Sequence, residues 1–321
     1  MDITIYPRKL SGTVKAIPSK SPAHRILFGS AFSDGPVTIT CPETNQDIEA
    51  TAECLNALGA GITKTADGYR VIPVSTLPDC ATLDCKESGS TLRFLLPVCA
   101  SLGVDTTFVL SGRLPERPLS PLWEELERMG CRLTRPTKNT LRCQGRLHSG
   151  SYTIDGSVSS QFITGLLFAL TLLSGENRLI VTGSIESKPY IEMTEQVLRL
   201  FGVDTTGYCF SNHRPYHSPG HIQVEGDWSN GAFFLGAQAM GNPVTVTNLS
   251  CSSAQGDRAA SKLLADLEHT VTICGKDIPD LIPILAVVAG SKAGAAFENI
   301  GRLRLKESDR VASVAQMLTV L

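Results

Sequence analysis

Ser90-Thr-Leu-Arg-Phe-Leu-Leu-Pro-Val-Cys-Ala-Ser-Leu-Gly103 and Ser160-Gln-Phe-Ile-Thr-Gly-Leu-Leu-Phe-Ala-Leu170 share one pattern. Each opens on a small polar residue and then runs apolar. The pattern recurs at Ser21–Phe32, Ser229–Gly241 and Asp280–Gly290. The openings fall at 21, 90, 160, 229 and 280, with steps of 69, 70, 69 and 51 residues. An apolar run without a polar stripe reads as a helix buried on nearly every side. Serine or aspartate at its start reads as an N-cap. A fixed period of about 70 residues marks a repeat architecture.

A second pattern alternates with the first. Leu55–Gly59, Leu126–Gly130 and Leu198–Gly202 each close an amphipathic stretch on glycine, and Leu264–Glu268 is a fourth copy without it. Glycine after the last helical turn suits the left-handed backbone that ends many helices. Short β-rich runs lie between, as at Val37–Cys41, Thr107–Leu110, Leu179–Thr182 and Val244–Thr247. One unit therefore reads strand, buried helix, strand, amphipathic helix, strand, strand. This predicts an α/β protein of two domains. Three units occupy residues 13–225, and the second domain takes residues 226–321 with 1–12 returning to it.

Composition narrows the function. The 321 residues are 42% hydrophobic and 19% charged, with a formal charge of −2, so bulk charge points to neither nucleic acid nor a membrane surface. The first ten residues hold no apolar stretch of signal-peptide type. The longest apolar stretch, 162–173, is too short to span a bilayer. Ten scattered cysteines form no Cys-x-x-Cys pair and read as free thiols of a reducing compartment. His213, His217 and His221 recur at every fourth residue, but Pro215 and Pro219 deny them a helix, and no metal site is expected. Dinucleotide, P-loop and Gly-x-Ser-x-Gly motifs are absent.

The helix starts carry the chemistry. A buried helix points free N–H groups and a positive dipole out of its N-terminus, which attracts anions. Ser19-Lys20-Ser21 with Arg25, Glu87-Ser88-Gly89-Ser90-Thr91 with Arg93, Ser159-Ser160-Gln161, and Asp277-Ile-Pro-Asp280 all stand at such starts. Arg113 and Arg117 sit in a proline-fixed loop, and five of the seven residues 304–310 are charged. Together these suggest phosphate or carboxylate ligands.

In this order the motifs resemble the 3-phosphoshikimate 1-carboxyvinyltransferase (EPSP synthase) family. The set adds Glu116-Arg117-Pro118, Ser187-Lys188-Pro189-Tyr190, Asp227, Ile278-Pro279-Asp280 and Lys306-Glu307-Ser308-Asp309-Arg310, and spans the chain. The resemblance implies a two-domain inside-out α/β barrel of repeated βαβαββ units. It implies transfer of the enolpyruvyl group of phosphoenolpyruvate to the 5-hydroxyl of shikimate 3-phosphate, with release of phosphate and no cofactor or metal. By the same resemblance Lys20, Ser21, Arg25, Ser159, Ser160, Gln161, Ser187, Tyr190, Asp280 and Lys306 hold shikimate 3-phosphate. Lys20, Gly89, Arg117, Gln161 and Arg310 hold phosphoenolpyruvate. Asp280 is the base, and Glu307 with Lys20 carries the proton to the methylene. Ligands would bridge the two domains and their closure would exclude water. The implied protein is a cytoplasmic monomer with small-molecule substrates, no nucleic acid and no membrane.

One departure is Glu87 where many members have asparagine. A carboxylate there would weaken an anion site unless it points away or meets a cation. The related UDP-N-acetylglucosamine enolpyruvyl transferases, and an inactive ligand-binding fragment of the same fold, are the alternatives. Against the first, no cysteine lies between Cys99 and Cys131, where those enzymes carry a catalytic one. Six units would need about 420 residues, so the sequence is expected to lack its last unit.

Overall fold

The structure is a computed structural model, described here for residues 4, 6, 8–211, 216–306 and 308–320. Contacts divide the chain into two compact units, Pro18–Val224 and Met1–Ile17 with Glu225–Leu321.

The larger unit repeats one order of elements. The chain enters through β1 (Gly12–Lys15) and continues as α1 (Lys20–Ala31), β2 (Val37–Thr40), α2 (Gln46–Ala57), β3 (Gly61–Thr65) and β4 (Gly68–Ile72). The second repeat is β5 (Cys80–Asp84), α3 (Gly89–Leu102), β6 (Asp105–Val109), α4 (Leu122–Arg128), β7 (Cys131–Thr137) and β8 (Thr140–Gly145). The third is β9 (Gly150–Asp155), α5 (Ser160–Leu172), β10 (Asn177–Thr182), α6 (Lys188–Leu200), β11 (Cys209–Phe210) and β12 (His221–Gln223). Gly59, Gly130 and Gly202 follow the amphipathic helices at φ of 101°, 111° and 76°, as the Leu-x-x-x-Gly pattern requires.

Each sheet opens with a parallel pair. In the order β5-β6-β8-β7, only β5 and β6 are parallel. In β12-β2-β4-β3 the leading place goes to β12, the last strand of the third repeat, parallel to β2. The third sheet, β9-β10-β11, keeps the parallel opening. The repeat count assigns residues from 13 onward to the larger domain. In the structure β1 instead pairs in parallel with β13 (Val244–Thr247), Gly12 opposite Val244 and Lys15 opposite Thr247.

The buried helices α1, α3 and α5 form the core of this unit. Phe28, Phe94 and Phe168, one from each, have ring centroids 5.2–6.0 Å apart and no more than 1% exposure. Gly165 lets α5 approach α3, because a Cβ there would run into the Arg93 carbonyl. All ten cysteines are unbridged; six are buried, while Cys80, Cys209, Cys251 and Cys274 are exposed.

The smaller unit contains β1 and β13, α7 (Trp228–Ala239), α8 (Ala260–Asp266), β14 (Val271–Cys274), α9 (Ile282–Gly290), β15 (Ala295–Glu298) and α10 (Arg310–Val320). β14 and β15 pair in parallel. Its core gathers Ala232, Leu264, Leu267, Ile273, Leu281, Leu285 and Val288. Helix α7 is not buried all round, since Phe233 is half exposed. An apolar cavity of about 370 Å³ lies between α9 and α10, lined by Ile282, Ala286, Val311, Val314 and Leu318 among others.

Candidate active site

In the larger unit the first turns of the three buried helices face one end. Ser88 Oγ accepts from Thr91 N at 3.2 Å, and Ser159 Oγ from Gln161 N at 3.3 Å, so both serines cap their helices. The Gln161 amide joins the starts of α3 and α5. Its Nε2 donates to Ser90 Oγ at 3.0 Å, and its Oε1 accepts from Arg93 Nη1 at 2.9 Å. Arg93 is 3% exposed, donates also to the Pro118 carbonyl at 3.0 Å, and lies 5.6 Å from the Phe162 ring centre. Gly89 is the closest point of the cluster. A Cβ there would stand 2.6 Å from Nη1 of Arg93 and 2.6 Å from Nη1 of Arg117. Two guanidiniums thus converge over a helix start, a strong setting for a phosphate or carboxylate.

The start of α1 is built differently. Lys20 is exposed and paired with Asp47 at 3.1 Å. One turn on, Arg25 is 2% exposed. Its Nε donates to Thr194 Oγ1 at 2.8 Å, Nη1 to the Ser21 carbonyl at 2.7 Å, and Nη2 to the Tyr190 carbonyl at 2.9 Å and to Thr164 Oγ1 at 3.4 Å. Arg25 therefore ties α1 to α5 and α6. Its neighbour His24 ties α1 to α2 and α3: Nδ1 bonds Thr51 Oγ1 at 2.8 Å, which bonds Thr91 Oγ1 at 2.6 Å. Burial above all, with Lys20 and Arg25 adding to it, pushes the His24 pKa down to about 3, so the ring stays neutral. Ser187 precedes α6 at φ 55°, 4% exposed. That left-handed backbone costs a residue bearing a Cβ about 1–2 kcal/mol.

In the smaller unit Asp280 and Arg310 form an ion pair through Oδ1 and Nη1, both half-buried. Asp227 caps α7, accepting from Asn230 N at 2.8 Å. Ser229 Oγ donates to Oδ2 of Asp257, a carboxyl only 3% exposed. Burial first, and the Asp280 carboxylate next, raise the Asp257 pKa to about 7. Lys306 acts on the same carboxyl in the opposite direction. Glu307 lies outside the described residues, as does His213.

Several sequence expectations change. Asp280 is not an N-cap: α9 starts at Ile282, the residue before it is Leu281, and Asp280 turns to Arg310 instead. Ser19 precedes α1 without a side-chain cap bond. Part of the 304–310 charge run is internal, since Arg304 pairs with Asp309 at 2.9 Å and Asp309 Oδ1 accepts from Ala312 N at 3.0 Å. The Glu87 carboxylate packs onto Gly112, whose φ of 54° and missing Cβ make room for it. His217 and His221 bond separate partners, Asp34 at 2.8 Å and Thr40 at 2.9 Å. The sequence reading passed over Asp257, Thr164 and Thr194. The signals were present, a carboxylate after Gln255-Gly256 and threonines in the apolar α5 and the amphipathic α6, but only packing reveals their partners.

The fold is shared with solved structures. An EPSP synthase from Acinetobacter baumannii superposes with a TM-score of 0.76 at 20% identity, covering 98% of this chain and 79% of that one. The enolpyruvyl transferase NikO from Streptomyces tendae does so at 0.66 and 16% identity, covering 90% and 76%. The architecture is therefore that of the enolpyruvyl transferases. Sequence narrows the class. Residues 5–277 match the family described as EPSP synthase (3-phosphoshikimate 1-carboxyvinyltransferase). The 3-phosphoshikimate 1-carboxyvinyltransferases of Clostridium beijerinckii and Clostridium kluyveri are 36% and 38% identical to this chain. Those alignments cover 100% and 98% of it, and 81% and 80% of the relatives. The chain belongs to the EPSP synthase family. Among the described residues no helix is long and apolar enough to cross a membrane.

Proposed function

We propose that this protein transfers the enolpyruvyl group of phosphoenolpyruvate to the 5-hydroxyl of shikimate 3-phosphate, releasing phosphate. Family membership supports the activity. The observation that carries the site is the convergence of Arg93 and Arg117 over Gly89, bridged to α5 by Gln161.

The reaction needs a base, an acid and cations around the phosphates and carboxylates. We assign Asp280 as the base that takes the 5-hydroxyl proton while the oxygen bonds to C2 of phosphoenolpyruvate. C3 receives a proton, for which we assign Glu307 with Lys20. The tetrahedral intermediate then loses phosphate from C2 and a proton from C3, which restores the double bond. Gly89, Arg117, Lys20, Gln161 and Arg310 are assigned to phosphoenolpyruvate. Ser21, Arg25, Ser159, Ser160, Gln161, Ser187, Tyr190, Lys306, Lys20 and Asp280 are assigned to shikimate 3-phosphate. Arg25 serves by holding the Ser21 and Tyr190 backbones as much as by its charge. Ten unbridged cysteines support a reducing, cytoplasmic setting, and we assign a monomer acting on small molecules.

The test is phosphate release from phosphoenolpyruvate with shikimate 3-phosphate. Release only with both supports the assignment. Release with UDP-N-acetylglucosamine instead overturns it, and binding without release marks an inactive form of the fold.

A further inference from the structure

Asp257 has no part in the assignments above, yet among the described residues it is the most deeply buried acid near Asp280. It lies in the short 3-10 turn Gly256–Ala259. Two side chains of this segment hold the start of α7. Gln255 Oε1 accepts from Trp228 N at 3.0 Å while its Nε2 donates to the Gly226 carbonyl at 2.9 Å, and Asp257 Oδ2 takes the Ser229 hydroxyl. The other oxygen, Oδ1, is buried with no hydrogen-bond partner among the described residues.

Among the described residues, the charged groups acting on this carboxyl come from three places. Asp227 stands before α7, Asp280 before α9, and Lys306 after the turn Gly301–Leu305. Two of the three are carboxylates. A desolvated carboxyl with one hydrogen-bond donor and two like charges near it favours its protonated form. Asp280 is placed the opposite way, against the Arg310 guanidinium. Two carboxyls with environments this unequal divide the roles of acid and base between them.

We propose that Asp257 is a positioning residue for the reaction, the proton-holding partner of Asp280 in an unequal carboxyl pair. While Asp257 keeps its proton, Asp280 carries the charge and keeps its ion pair with Arg310. When Asp257 ionises, a second negative charge beside Asp280 favours uptake of the substrate's hydroxyl proton. The proposal rests on the reading of Asp280 as the base.

Two measurements test it. The first is the pH dependence of kcat/KM for phosphate release in the wild type and in Asp257→Asn, which keeps the shape but cannot ionise. The wild type should show an inflection near pH 7. Asp257→Asn should match it within twofold at pH 6, lack the inflection, and fall about threefold behind at pH 8.5. Superimposable profiles overturn the proposal. The second needs no turnover: NMR of carboxyl-13C-aspartate in the whole chain. One aspartate should titrate near pH 7, and Asp280→Asn should move that titration to lower pH. No carboxyl titrating between pH 6 and 8, or one indifferent to Asp280→Asn, also overturns the proposal. An inactive wild type with the coupled titration present would instead refute the functional reading and leave the pair standing.

Discussion

Arg93 and Gln161 lie 68 residues apart and meet at 2.9 Å, joining the first turns of α3 and α5. The amide then reaches Ser90, so one side chain fixes both helix starts and one face of the guanidinium pair over Gly89. The approach of the two guanidiniums to Gly89 depends on that spacing.

Gly89→Ala should crowd both guanidiniums. Its Cβ would lie 2.6 Å from each Nη1 atom, so Arg93 or Arg117 must shift. Losing one charge-assisted contact costs about 1.5–3 kcal/mol, roughly 10- to 100-fold in affinity. Steady-state kinetics should show a KM for phosphoenolpyruvate raised by that factor. Thermal unfolding should stay close to wild type.

Arg25→Ala should weaken shikimate 3-phosphate and destabilise the fold together. It leaves the part-buried Ser21 and Tyr190 carbonyls without their guanidinium donor and removes the buried bonds to Thr194 and Thr164. Breaking such a buried network costs about 2–4 kcal/mol. Urea unfolding measures the stability loss, and calorimetry the affinity. Unchanged affinity would remove Arg25 from the substrate assignment.

Protonation of His24 should oppose folding in acid. Its folded pKa, about 3, lies below the value near 6.5 of an exposed histidine. Between those values the unfolded chain binds more protons, so this residue's contribution is complete above about pH 6.5 and is lost as pH falls toward 3. Each pH unit in the window costs about 1.4 kcal/mol. Asp257 acts with the opposite sign. Its folded pKa near 7 is raised, so its contribution is present below an aspartate's usual range near 4 and declines as pH rises through 7. Urea unfolding of Thr51→Val and Asp257→Asn at several pH values separates the two. Thr51→Val should cost about 1–3 kcal/mol by leaving the His24 ring unbonded at Nδ1.

Phe94→Ala should cost about 3–5 kcal/mol, because its ring packs against both Phe28 and Phe168 at the centre of the three-helix core. Equilibrium unfolding would show this as a lower midpoint with the slope retained.

The buried helices α1, α3 and α5 were legible because a run without a polar stripe favours burial, as Phe162–Leu172 demonstrates, whereas α7 from the same pattern leaves Phe233 half exposed. The glycines ending the amphipathic helices were legible because left-handed backbone selects glycine. The pairing of β1 with β13 was not. It joins residues about 230 positions apart, and nothing local marks a four-residue strand's partner. Asp280 read as a helix cap and was not legible as the partner of Arg310, since capping and ion pairing start from the same sequence. Asp257 was not legible, because its chemistry comes from burial and from three charged groups on separate segments.

The most direct test compares phosphate release by the wild type and Asp280→Asn, given phosphoenolpyruvate and shikimate 3-phosphate. The account predicts release by the wild type only when both substrates are present. It predicts a loss of at least 100-fold in kcat for Asp280→Asn, within the range general-base catalysis supplies, with both substrates still bound. Wild-type turnover in Asp280→Asn, or release that does not need shikimate 3-phosphate, would contradict it.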